Sequence, residues 1–206
     1  MITYILGLPG SGKSYYAVNK IYNNFSDDKN AKKDKNITFR KCYTNINEFK
    51  FKRIDNVEKF DYDEFYKIIA HAHTLYKMKE TDEKILTFLD QKGYKDTLFV
   101  IDEAHNIFDK KDIVLVWWLS YHRHLFHELI LITQSLSLIE SKYKAFSEFF
   151  YVAKPRSLVL NRNYFKYNIF CSSRLTKISK SGDIKVKLND YTTPRSQDNF
   201  FKNLIL

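Results

Sequence analysis

Over roughly residues 1–150, short continuous apolar runs alternate with stripes of apolar residues spaced i, i+3, i+4. The first run, Ile2, Tyr4, Ile5 and Leu6, predicts a strand. Ser14 to Phe25 then predicts a helix, with Ala17, Val18, Ile21, Tyr22 and Phe25 on one stripe. Phe39 to Ile46 reads as a second strand, ending at Asn45-Ile46-Asn47. Residues 61–78 predict a helix through Phe65, Ile68, Ile69, Ala72 and Tyr76, opened by the capping pair Asp61 and Glu64. A further helix runs from Asp82 to Lys92, with Thr81 as its N-cap and Gly93 at its C′ position. Thr97 to Ile101 and Leu129 to Thr133 are uninterrupted apolar runs, as expected of strands buried on both faces of a parallel sheet. Between them Ile113 to Tyr121 predicts a mostly buried helix, with core packing expected for at least one of Trp117 and Trp118.

From Phe149 onward the pattern changes to strands and turns, including a hairpin-like Ser181-Gly182 turn between Leu175–Ser179 and Ile184–Leu188. The expected division is a core over residues 1–160 and a β-rich C-terminal extension over 161–206. Ser26 to Asn36 is a polar, lysine-rich loop, and no internal repeat is visible.

Composition alters this picture little. A chain of 206 residues suits one α/β domain with a small appendage. The net charge of +10 points to an anionic partner. The excess is carried by lysine far more than by arginine, amid many Asn, Ile, Tyr and Phe, so an A+T-rich coding sequence accounts for it equally well. Cys42 and Cys171 lack C-x-x-C spacing, which argues against a disulfide scaffold or zinc site and fits a reducing compartment. Met1 leads directly into the first strand, so no signal peptide is expected. The longest apolar run, Ile113 to Leu119, is shorter than the roughly 20 residues that span a bilayer, so the chain as given is expected to be soluble.

Chemistry enters at Gly7-Leu8-Pro9-Gly10-Ser11-Gly12-Lys13-Ser14, which matches the phosphate-loop pattern G-x-x-x-x-G-K-[ST] without a mismatch. A strand feeding a glycine loop that opens a helix gathers backbone N–H groups and the helix's positive end around polyphosphate oxygens. The candidate nucleotide-binding residues are these eight together with Tyr15. Lys13 is expected on the β- and γ-phosphates, and the Ser14 hydroxyl on Mg²⁺. Four apolar residues and two acids, Leu98-Phe99-Val100-Ile101-Asp102-Glu103, form the matching second half. Asp102 is the second candidate for Mg²⁺, and Glu103 for polarising the attacking water. A strand ending in a solvated acidic turn is common, so this run gains meaning from the phosphate loop upstream. The acid pair favours hydrolysis over phosphoryl transfer to an acceptor.

Gln134, after the Leu129–Thr133 strand, is a candidate γ-phosphate sensor or water-orienting amide; the bland alternative is a loop amide satisfying the backbone. Arg123, in His122-Arg123-His124, is a candidate arginine finger reaching a neighbouring subunit, with Arg156, Arg162 and Arg174 as rivals and a surface ion pair as the ordinary alternative. His105, His122, His124 and His127 lack the carboxylates or cysteines that would complete a metal site.

With both halves read, GLPGSGKSYYAV at 7–18, YTNI at 43–46, VIDEAHNIF at 100–108, HRH at 122–124 and LILITQ at 129–134 make the chain resemble the N-terminal domain of the zonular occludens toxin (Zot) family, the assembly ATPases of filamentous bacteriophages. The resemblance implies an α/β P-loop NTPase of the additional-strand, FtsK/HerA-like group, with a mostly parallel sheet and helices on both faces. It implies ATP and Mg²⁺ as ligands, a homo-oligomeric ring, and phage coat or assembly proteins and single-stranded DNA as partners. The same resemblance implies a place on the cytoplasmic face of the bacterial inner membrane, through a membrane span that follows in the family. Lys202-Asn203-Leu204-Ile205-Leu206 is expected to be the first turn of such a span. Three other readings stay open: a DNA-translocating or packaging ATPase, a small-molecule or nucleotide kinase, and a toxin or interaction module on a P-loop scaffold. ATP and GTP are not separated by any motif.

Overall fold

The computed structural model describes residues 1–26, 39–154, 164–171 and 187–194. Strands β1 (Ile2–Leu6), β2 (Lys41–Thr44), β3 (Val57–Lys59), β4 (Thr97–Ile101), β5 (His127–Thr133), β6 (Phe149–Ala153), β7 (Tyr164–Cys171) and β8 (Lys187–Pro194) form one sheet in the order β3-β2-β4-β5-β1-β6-β7-β8. Pairing is parallel from β3 through β6 and antiparallel between β6, β7 and β8. Strand β5 therefore lies between the strand of the phosphate loop and the strand of the acid pair. This is the α/β fold with an additional central strand that the sequence leads one to expect.

The helices are α1 (Lys13–Phe25), α2 (Tyr62–Lys77), α3 (Asp82–Gln91), α4 (Ile113–Tyr121) and the one-turn α5 (Ser141–Lys144). Alternate strand residues face opposite sides, and each side has its own core. Ile5, Leu98, Val100, Ile130 and Ile132 pack with Ala17, Val18 and Ile21 of α1. Tyr4, Phe99, Ile101, Leu129 and Leu131 pack with Phe65 and Ile69 of α2, Ile85 and Leu89 of α3, and Leu115, Trp117 and Trp118 of α4. The continuous apolar runs of β1, β4 and β5 follow from this, since each is covered on both faces.

Local signals place the helix ends. The Asp61 carboxylate accepts from the Glu64 N–H at 3.0 Å, Thr81 Oγ1 accepts from the Lys84 N–H at 3.3 Å, and Gly93 takes φ +76° just beyond α3. Asp112 caps α4, its Oδ1 accepting from the Val114 and Leu115 N–H groups. Trp117 and Trp118 are both buried.

Two details differ from the pattern-based reading. Strand β2 covers Lys41–Thr44 rather than 39–46, and β3, only Val57–Lys59, was not anticipated. Three residues with one buried side chain, Val57, carry too little periodicity to read. The expected strand over 175–179, the Ser181-Gly182 turn, most of the lysine-rich loop, and the apolar tail at 202–206 lie outside the described residues; of the strand expected over 184–188 only Lys187 and Leu188 are described, and they open β8, which runs on to Pro194. Cys42 is a buried free thiol in β2. No helix among the described residues is long and apolar enough to cross a membrane.

His122 of the HRH segment and His127 just after it serve this architecture. The buried His127 accepts at Nδ1 from Trp118 Nε1–H at 3.0 Å, so its proton sits on Nε2 and is donated to the Tyr94 carbonyl at 2.5 Å. His122 Nδ1 lies 2.7 Å from the Leu119 carbonyl. Burial drives the His127 pKa down to about 3, so the folded protein holds it neutral while the unfolded chain protonates below its ordinary value of 6.5. The stabilisation is thus complete above pH 6.5 and is lost as the pH falls from there toward 3, with a slope approaching about 1.4 kcal/mol per pH unit. Urea unfolding of wild type and His127→Gln at pH 7, 6, 5 and 4 checks this. The wild type should lose stability more steeply over that range, and parallel curves would show that His127 does not bind its proton as described.

Candidate nucleotide site at the carboxyl edge of the sheet

Parallel registers bring four strand tips to one edge. Leu6 pairs with Thr133, Ile101 with Leu131 and Thr44 with Val100, so the residues that follow β1, β5, β4 and β2 emerge together. Those residues are Gly7, Gln134, Asp102 and Asn45.

The phosphate loop spans Gly7 to Gly12 and is closed by the Ser11 N–H donating to the Leu8 carbonyl at 3.2 Å. Gly7 takes φ +145°, and a Cβ there would stand 2.9 Å from the Ala153 carbonyl oxygen of β6. Gly12 takes φ +96°, and a Cβ there would overlap the Phe165 ring of β7. Only glycine fits either position. Helix α1 starts at once, its first intrahelical bond running from the Tyr16 N–H to the Gly12 carbonyl at 3.0 Å. The amides ahead of that bond belong to the helix's positive end, where an anion is favoured. Ser11 Oγ is buried in the loop and has no hydrogen-bond partner among the described residues.

Lys13 is nearly buried and donates from Nζ to the Leu8 carbonyl at 3.1 Å, so its ammonium folds back over the loop. Burial lowers its pKa, opposed by the negative charges of Asp102 and Glu103. Ser14 Oγ donates to Asp102 Oδ2 at 3.2 Å, joining loop and acid strand across 88 residues of sequence. The Asp102 pKa is raised, chiefly by burial, with hydrogen bonds from the Glu103 N–H and Ser14 acting the other way. Ser14 hydroxyl and Asp102 carboxylate are the hard oxygen donors that Mg²⁺ takes, and a desolvated carboxylate beside an ammonium gains from a divalent cation and polyphosphate arriving together.

Asn45 was not singled out for chemistry, yet it positions Asp102. Its Nδ2 donates to the Asp102 carbonyl at 2.9 Å and its Oδ1 accepts from the Asp102 N–H at 2.6 Å. One planar amide thus replaces the strand partner that β2 stops supplying after Thr44. Glu103 follows in the left-handed region at φ +50°, a costly conformation for a residue with a Cβ. It is held by its N–H donating to Asp102 Oδ1 at 2.9 Å and by the Asn106 N–H donating to its carbonyl at 2.9 Å. The turn breaks β4 and sends the Glu103 carboxylate out beside Asp102.

The remaining candidates divide. Gln134 is exposed at the tip of β5, between the loop and the acid pair. The Tyr15 side chain is buried, with its ring centroid 4.9 Å from that of Phe165. Arg123 lies at the opposite edge, before β5 begins, with its Nη2 3.1 Å from Glu148 Oε2; the same carboxylate stands 3.5 Å from His122 Nε2. Within one chain Arg123 does not meet the site. Arg156, Arg162 and Arg174 lie outside the described residues. Among the described residues no cluster of His, Cys, Asp and Glu forms a separate metal site. Strand β7 adds a contact that no local pattern announces: Tyr167, fully buried, donates from its hydroxyl to the Gly12 carbonyl at 2.7 Å.

Comparison with known proteins places this geometry. The structure resembles the N-terminal domain of zonular occludens toxin from Neisseria meningitidis, with a TM-score of 0.56 at 21% identity over 100% of this chain and 98% of that one. It also resembles the genome packaging NTPase B204 of Sulfolobus turreted icosahedral virus 2 in complex with ATP-gammaS, with a TM-score of 0.51 at 18% identity over 91% of this chain and 96% of that one. Both likenesses speak for the fold. No curated protein sequence matches the chain. The sequence model of the zonular occludens toxin (Zot) family, however, matches residues 1–192, and the chain belongs to that family.

Proposed function

We propose that the protein is a Mg²⁺-dependent ATPase that drives filamentous phage assembly and extrusion as a ring oligomer on the cytoplasmic face of the bacterial inner membrane. The observation that carries the catalytic part is the Ser14–Asp102 hydrogen bond of 3.2 Å, which unites the phosphate loop with the acid strand at one edge. Membership of the Zot family supports the phage role. The likeness to a genome packaging NTPase makes DNA translocation the second reading of the same site.

Each residue has a part in the proposed reaction. Loop amides from Gly7 to Ser14 and the start of α1 at Tyr15 cradle the phosphates, and Lys13 exchanges the Leu8 carbonyl for β- and γ-phosphate oxygens. Ser14 and Asp102 hold Mg²⁺, which when bound neutralises charge on the phosphates. Glu103 orients a water whose oxygen forms the new bond to the γ-phosphorus as the bond to the β-bridging oxygen breaks; the water's proton passes to the carboxylate or to phosphate. Gln134, beneath the centre of this arrangement, senses the γ-phosphate. Arg123 acts in trans, where the amino edge of one subunit meets the nucleotide of the next, and must leave Glu148 to do so. Coat or assembly proteins and single-stranded DNA are the proposed partners, with the membrane engaged through a segment beyond those described.

Two measurements test these assignments. Glu103→Gln should bind ATP within about twofold of wild type and lose at least about a hundredfold in turnover; calorimetry and phosphate release read the two quantities. Lys13→Ala should lose the binding itself. Unchanged hydrolysis in Glu103→Gln, or transfer to an acceptor in place of phosphate release, would overturn the hydrolytic mechanism. For Arg123, specific activity should rise with protein concentration in the wild type and stay low and flat in Arg123→Ala. Concentration-independent turnover in the wild type would remove the trans role. Adding single-stranded DNA to the same assay separates a DNA-stimulated motor from one that is indifferent to DNA.

A further inference from the structure

The chain that leaves Glu103 returns at once to the neighbouring strand tip. His105 belongs to the short 3₁₀ turn Ala104–Asn106, whose first residue is fully buried against the end of the sheet. Its Nδ1 stands 3.3 Å from Glu103 Oε2 and 3.4 Å from Thr133 Oγ1. Thr133 is fully buried, and its hydroxyl donates to the Ser135 carbonyl at 3.3 Å, which leaves its oxygen as an acceptor. With its proton on Nδ1, His105 hydrogen-bonds the Thr133 hydroxyl oxygen and faces Glu103 Oε2 at ion-pair distance; that carboxylate oxygen is buried and has no hydrogen-bond partner among the described residues. Ser135 is tied down in turn, its Oγ accepting from the Ser137 N–H at 3.2 Å. The turn of Thr133 to Ser135, with Gln134 at its centre, is thus linked to Glu103 through one imidazole.

Physical reasoning gives this link a purpose. The Glu103 side chain is 45% exposed overall, while its Oε2 is buried beside His105 and, among the described residues, no hydrogen bond fixes that oxygen. An unrestrained carboxylate spends most of its time away from any one pose. His105 is only 25% exposed and has two side-chain torsions, which makes it a stiff tether. We propose that His105 is a positioning residue that couples the Gln134 turn to Glu103, so that occupation of the γ-phosphate position at the tip of β5 sets the carboxylate against its water. This inference rests on the hydrolytic reading of the site.

The test compares ATP turnover and ATP binding in wild type, Glu103→Gln, His105→Ala, His105→Asn, Thr133→Val and the double variant His105→Ala/Thr133→Val. His105→Ala should lose about a hundredfold in kcat, the scale of a misplaced catalytic group, with the dissociation constant for ATP within about twofold of wild type. His105→Asn, whose amide N–H replaces Nδ1–H, should recover most of that loss. Thr133→Val should also reduce kcat, and the double variant should be no worse than the worse single, because both changes cut one link. Wild-type turnover in His105→Ala with Glu103→Gln inactive would overturn the coupling alone. An active Glu103→Gln would instead overturn the hydrolytic reading. If His105→Ala does not fold, Thr133→Val decides: turnover at the wild-type rate ends the proposal, and a reduced rate beside an active His105→Asn upholds it. Losses that multiply in the double variant would assign His105 and Thr133 separate roles.

Discussion

The site depends on the reach of Ser14 to Asp102. Adjacent strands in a sheet are about 4.8 Å apart, so with β5 between them the tips of β1 and β4 are separated by about 10 Å. The phosphate loop and the first turn of α1 therefore arch together across the end of β5, and the 3.2 Å hydrogen bond between Ser14 Oγ, the second residue of α1, and Asp102 Oδ2 marks the far foot of that arch. This geometry constrains β5 as well. Its last residue, Thr133, is small and buried, and Gln134 emerges below the arch. A sensing role for Gln134 is thus proposed from its position in the strand order as much as from its amide.

The same arch explains the balance of charge. Lys13 and Asp102 are each pushed by burial toward their neutral forms, and the charge of each opposes that shift in the other. A partly desolvated pair of this kind is weakly favourable at best without further partners. Polyphosphate and a divalent cation supply a partner to each, so the pair is better suited to ligand binding than to stabilising the fold. The opposite edge works differently. There Glu148 collects Arg123 and His122, and 3.9 Å away the Met1 amino group, in contacts that tie the start of β6 to those of β5 and β1.

What could be read in the sequence was whatever chemistry is local. The phosphate loop is eight contiguous residues, and β4 announces itself because a strand covered on both faces has no polar alternation to blur it. Asp61, Thr81 and Gly93 were legible as helix ends because a cap acts within a turn. The contacts missed are those made across the sheet. Asn45 clamps Asp102 from 57 residues away, and His105 and Thr133 meet across 28. Both required the strand order, which no periodicity encodes. The position of Arg123 illustrates the point. A residue just before a parallel strand that ends at the site must lie at the far edge, but this follows only once β5 is known to be parallel to β1 and β4. Likewise the histidines near it are spaced as ligands sometimes are, yet His127 is occupied by Trp118 and Tyr94, partners that the fold alone brings together.

Strand direction in the sheet changes after β6. Strand β6 is the last parallel neighbour of β1, and β7 and β8 continue the same sheet antiparallel to it. Strand β7 does more than extend the edge. Its Phe165 ring fills the space that a side chain at Gly12 would need, and its Tyr167 hydroxyl holds the Gly12 carbonyl, the first acceptor of α1. Closely packed interiors resist small displacements, so a shift of the loop on binding phosphate must be met either by rotation of the Phe165 ring or by movement of β7 itself. Strand β7 is therefore mechanically continuous with the phosphate loop. Any event that reorients β7 would act through Gly12 on the candidate nucleotide site, one residue before Lys13.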